Sequence, residues 1–182
     1  MYLATLKFKL FAHLATLKFK LFVHLATLKF KHRKQIMIDL INLWFKRAVP
    51  EPNKRNLEVQ LACHFEETGE LLETLKGTDM FSENLINEAE RSMLKLSTAL
   101  KTGIAGLEIT DRREFLDAIC DQIVTATGSA YMAGMKVEEA IAEVNSSNFS
   151  KFDSDGNPIF DANGKISKNY ATYRKPNLEG LY

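Results

Sequence analysis

The chain has 182 residues, 46% hydrophobic and 26% charged, a balance that fits a globular chain and excludes a disordered one. Its length allows one domain, with or without an appendage, and no run of about 18 uninterrupted apolar residues offers a membrane span. The net charge of +1 hides an asymmetry: residues 1–36 carry eight Lys and Arg and no acid, whereas the remainder carries 16 basic and 23 acidic residues, a net −7, which argues against nucleic acid as the partner because phosphate backbones require a basic surface.

Residues 1–36 are a repeat. LATLKFKLFAH (3–13) returns as LATLKFKLFVH (14–24), and LATLKFKH (25–32) opens a third copy. Packed structural repeats diverge and are longer, so near-identity at a period of 11 points to duplication in the DNA. One reading is a basic amphipathic segment on a membrane surface, with Leu3, Leu6 and Leu10 opposed to Lys7, Lys9, Lys18 and Lys20. A secretory leader fits poorly, because the lysines interrupt any apolar stretch and no cleavage site follows. The favoured reading is translated upstream sequence, with Met37 opening a domain over 37–182.

From Met37 the pattern is helical. Ile38, Leu40, Ile41, Leu43, Trp44 and Phe45 form a short apolar helix closed by Pro50-Glu51-Pro52. Trp44 reads as core rather than as a stacking platform for a base. Asn53 caps a second helix over 54–76, where Leu57, Val59, Leu61, Phe65, Leu71, Leu72 and Leu75 recur at helical spacing and Gly77 ends it. Ser82 caps a third, over 83–101. Asp111 starts a fourth, with Glu114 at capping-box spacing. The fourth runs to 132, with a small-residue face (Ala126, Gly128, Ser129, Ala130) and Gly134 at its end. A fifth covers 137–145. Beyond Ser150, the turn dipeptides Asp155-Gly156 and Asn163-Gly164 separate short apolar pieces, which predicts a β-hairpin or loop arm. Asp153-Ser-Asp155-Gly156 has its glycine too early for an EF-hand and reads as a turn. The fold class is therefore all-α, a helical bundle with a short C-terminal β-hairpin or loop arm. Cys63 and Cys120 have no metal-binding spacing and read as reduced, which suits a cytoplasmic protein.

Two helices carry carboxylates in pairs. Glu66, Glu67 and Glu70 sit on one side of the second helix, and Asp117 and Asp121 lie four apart on the fourth. Like charges on one face repel, and a hard divalent cation with oxygen ligands would relieve them. A solvated acidic face is the alternative.

The segment HFEETGELLETL (64–75) resembles the first motif, Glu-Glu-x-x-Glu, of the MazG-like nucleotide pyrophosphohydrolases. LDAICDQIVTATGSAYMAGM (116–135) resembles the second motif, and EVNSSNFSKFDSDGNPIFDANGKISKNY (143–170) resembles the tail of phage-encoded members and of the phosphoribosyl-ATP pyrophosphohydrolase-like branch. The resemblance implies an all-α, Mg²⁺- or Mn²⁺-dependent hydrolase converting (d)NTP to (d)NMP and pyrophosphate, assembled as a homodimer or homotetramer. It also implies metal ligands at Glu67, Glu70, Asp117 and Asp121, with Glu66 as a further ligand or the base that orients water. Substrate contacts would fall on Asn148 and Lys151, with Arg174 or Lys175 adding positive charge. His64, one turn before Glu67, is a candidate for contact with base or phosphate, or else a packed helix residue.

The sequence departs from the family pattern at the second motif. Glu114 and Asp117 match Glu-x-x-Asp literally, but Glu114 has a capping explanation, so Asp117 with Asp121 is preferred. A whole extra helix also separates the two motifs. The competing functional class is a non-catalytic module of the same fold that binds nucleotide or protein.

Overall fold

A computed structural model of the protein describes residues 37–182; the basic repeat, and the expectation that it stands apart from the domain, lie outside the described residues. By compactness the chain divides between Leu43 and Trp44. Residues 37–43 are helical, and the packing described below lies within Trp44–Tyr182.

The fold is all-α. Among the described residues five helices run in order: α1 (37–48), α2 (Lys54–Glu73), α3 (Met80–Thr102), α4 (Arg112–Met132) and α5 (Val137–Phe149). Asn53 caps α2 by accepting from the Asn56 amide, and Asn56 answers with its own side chain, so two orphan donors are satisfied reciprocally. Asp79, not Ser82, caps α3, which therefore starts earlier than expected. Asp111 caps α4 as expected, accepting from the amides of Arg113 and Glu114.

α2 and α3 form an antiparallel hairpin and pack along their lengths. Gly69 lets α3 approach: a Cβ there would lie 2.8 Å from Leu94 Cδ2. Arg55 at the start of α2 donates to the last carbonyls of α3, Leu100 (2.6 Å) and Lys101, which supplies the cation that a helix C-terminus favours. Gly77 has a role other than the one its position suggests. α2 already ends at Thr74 in an αR cap. Gly77 lies in the turn where a Cβ would fall 2.2 Å from the Glu83 backbone nitrogen, and its amide donates to the Glu83 carboxylate at 2.7 Å. Close approach, not a left-handed cap, requires glycine there.

A second centre of packing joins α1 to the chain after α5. Trp44, Ala48 and Phe152 are buried together, with Phe45, Val49, Phe149 and Ile166 against them. Trp44 stacks on Phe152 (centroids 5.7 Å) and donates its indole N–H to the Asn148 carbonyl at 2.9 Å. This is the core role expected for the tryptophan.

α4 is different. Among the described residues it buries none of its own and approaches α5, with nothing within 4 Å of a Cβ at Gly128.

Of the two forms expected for the arm, the structure takes the loop. Among the described residues there is no strand, only one isolated antiparallel bridge, Phe160 to Ile166. The aspartates explain this. Asp153 accepts from the amides of Asp155 and Asn157, and Asp161 from those of Asn163 and Lys165, so side chains take amides that a ladder would need. The residues after Tyr173 dock on α5: Arg174 pairs with Glu143 and donates to Ser146, and the Asn177 amide donates to Glu143.

Candidate functional site

The turn of α2 that carries Glu66 is where three distant segments meet. Lys101, at the end of α3, binds one oxygen of Glu66, and Lys165, in the arm, binds the other at 2.6 Å. Partial burial pushes the Glu66 carboxyl up, but the hydrogen bonds and charges of the two lysines outweigh it and hold the group below its ordinary range. Burial likewise pulls Lys165 down, and Glu66 more than compensates, so its ammonium is held above its usual range. A general base works best with a pKa near the operating pH, and the two lysines move Glu66 the other way.

Lys151 lies half-buried on the same side. Its ammonium sits 6.0 Å from the centroid of the Trp44 ring. Burial, and then the charges of Lys165 and Lys168, depress its pKa, while Glu67 and Cys63 act in the opposite sense. Lys168 in turn lies 5.1 Å from the Tyr173 ring centroid. A group of ammoniums thus adjoins the first acidic motif. Cys63, within it, is raised chiefly by burial.

Glu67 and Glu70 are exposed on α2, and Asp117 and Asp121 on α4; none of the four forms an ion pair among the described residues. The two pairs stay on separate helices: among the described residues, no group of three or more His, Cys, Asp or Glu side chains could hold a metal ion. What joins α2 to α4 is a contact of His64 Nε2 with Gln122 Oε1. Gln122 follows Asp121 in sequence and His64 precedes Glu67 by three positions, so the contact falls next to both acidic pairs along the chain.

The remaining expected residues are placed as follows. Asn148 gives its carbonyl to Trp44 at the end of α5, directly before the lysine group. Arg174 is engaged by Glu143 and Ser146, so a phosphate would have to compete with a carboxylate for it. Lys101 and Lys165 carried no local signal in the sequence, since Lys165 lies 99 residues from Glu66.

No family model, curated protein or solved structure matches the chain. No helix among the described residues is long and apolar enough to cross a membrane.

Proposed function

We propose that the protein is a divalent-metal-dependent nucleoside triphosphate pyrophosphohydrolase of the MazG-like type. One observation carries the reading: the exposed carboxylate of Glu67, one turn before Glu70 on α2, lies within electrostatic reach of the half-buried Lys151, with the ammoniums of Lys165 and Lys168 beside it. Oxygen donors for a hard cation thus lie next to positive charge for the phosphates that such a cation binds.

Carboxylate oxygens are the donors that Mg²⁺ or Mn²⁺ takes; Glu67, Glu70, Asp117 and Asp121 would hold the ion together only if the pairs on α2 and α4, which form no metal-binding group among the described residues, were drawn to one point. A cation there would neutralise phosphate charge and acidify the attacking water. The chain's own part is to gather and orient substrate. Lys151 would take phosphate oxygens, and the His64–Gln122 contact would keep the acidic turn of α4 near that of α2. Attack of water on the α-phosphorus breaks its bond to the bridging oxygen, and pyrophosphate leaves with that oxygen, giving a nucleoside monophosphate. The exposed face of α4 supports a homodimer or homotetramer, in which a second copy covers it.

The test is hydrolysis of the common NTPs and dNTPs with Mg²⁺, in the wild type and in Glu70→Gln, Asp121→Asn and Glu114→Gln. The first two should lose turnover by orders of magnitude and lose the gain in melting temperature on adding Mg²⁺. Without metal their stability should hold or rise, because one of two like charges is gone. Glu114→Gln should stay active. Full activity in Asp121→Asn would sink the metal assignment. An inactive Glu114→Gln beside an active Asp121→Asn would move the second motif upstream.

A further inference from the structure

Glu66 is held from two sides. Its two oxygens are divided between Lys101 and Lys165, and each lysine is fixed by its own element. The carbonyl of Lys101 is clamped by Arg55, at the end of the α2/α3 hairpin. Lys165 leaves a tight turn: the Asp161 amide donates to the Lys165 carbonyl (2.9 Å), the Lys165 amide to the Asp161 carboxylate (2.9 Å), and Gly164 adopts φ +82°. The next residue, Ile166, packs against the Trp44–Phe152 centre. Glu66 is therefore the point at which the arm is tied by charge to the helical hairpin.

We propose that Glu66 is a positioning residue: by gripping Lys101 and Lys165 it latches the arm onto α2, and so holds Lys165 with Lys151 and Lys168 as a cationic seat for the polyphosphate of a nucleotide. The charge arithmetic favours this. Glu66 and Glu67 offset two of the four ammoniums of Lys101, Lys165, Lys151 and Lys168, which leaves the group net positive. A ligand carrying several negative charges fits this group, whereas a singly charged or neutral one leaves it repelling itself. Half-buried Lys151 is held below its ordinary range first by burial and then by the charges of Lys165 and Lys168. The ligand class rests on the pyrophosphohydrolase reading; the latch does not.

The experiment uses the full chain with Glu66→Gln, Lys101→Met, Lys165→Met and Lys165→Arg, read in three ways. Amide exchange over 159–167 should quicken about tenfold in the first three and be rescued in Lys165→Arg, on the scale of one lost charge-assisted hydrogen bond. Affinity for inorganic tripolyphosphate, measured by calorimetry without nucleotide, should fall about tenfold in Glu66→Gln and Lys165→Met. In hydrolysis, the Glu66→Gln effect should fall on KM and leave kcat within about twofold. Unchanged arm exchange in both Glu66→Gln and Lys101→Met overturns the latch. A kcat collapse in Glu66→Gln with exchange and tripolyphosphate binding intact overturns it too, and makes Glu66 a metal ligand or base. Absence of hydrolysis of every nucleotide would defeat the functional reading alone, because exchange and tripolyphosphate binding still decide the latch. Unchanged melting of Lys101→Met would show that the exchange effect is local.

Discussion

Glu143 receives Arg174 and the Asn177 amide, at 2.9 Å, and so is one of several groups that hold the last stretch of chain, with Ser147 and Ser150 at Arg174 and Lys136 at Gly180 and Leu181. The Arg174 hydrogen bond, then that of the Asn177 amide, hold its pKa below the ordinary range. A carboxyl depressed in the folded state contributes stability that is present above its unfolded pKa and is lost as pH falls through the folded value. Acidification should therefore weaken the hold of Glu143 on Arg174 and Asn177. The Asn177 amide shift in NMR should titrate with a midpoint below that of an ordinary glutamate, and Glu143→Gln should abolish the titration; a midpoint at the ordinary value would show that the pair does not form. At this scale the sequence was legible where a side chain acts on its own neighbours. Asn53, Asp111 and the Asp153 turn are local pairings, and each could be read from spacing. Lys101 and Lys165 could not, because their partner is set by tertiary approach. Gly77 was marked by its sequence position, but its reason lies in the Glu83 backbone that meets it.

Among the elements, α4 is the outlier. Leu116, Ile123 and Tyr131 lie along one stripe and are 64%, 53% and 75% exposed. An amphipathic helix is normally stabilised by packing of its apolar face, and an exposed stripe of this kind marks an association surface. Ile123→Lys, which keeps good helix propensity, should leave the chain folded, shift light scattering to the monomer mass and remove any concentration dependence of melting. A wild type that is already monomeric at micromolar concentration would refute association through α4. The five helices were legible from apolar periodicity, yet their buried faces were less so: Leu71 and Leu85 share the periodicity of the core but stand in solvent. Periodicity reports which residues want cover, not whether one chain supplies it. The same limit holds for the acids, since pairs at helical spacing were visible in sequence but the distance between the pairs was not.

At the level of the whole molecule, two packing centres differ in how far apart their partners lie along the chain. The α2/α3 hairpin is closed by the short turn at Gly77, whereas Trp44 finds its carbonyl partner 104 residues away. Closing a long loop costs chain entropy before any contact repays it. The hairpin should thus be structured in the transition state for folding, and the arm should arrive afterwards. Leu100→Ala, at a fully buried position of α3, should slow folding, whereas Phe152→Ala should mainly speed unfolding, each at an equilibrium cost of about 3 kcal/mol. Stopped-flow rates that place Phe152 as early as Leu100 would reverse that order. If the order holds, a ribosome releasing this chain exposes the paired α2 and α3, with their acidic turn already formed, well before the residues that bring the lysines to it have been synthesised.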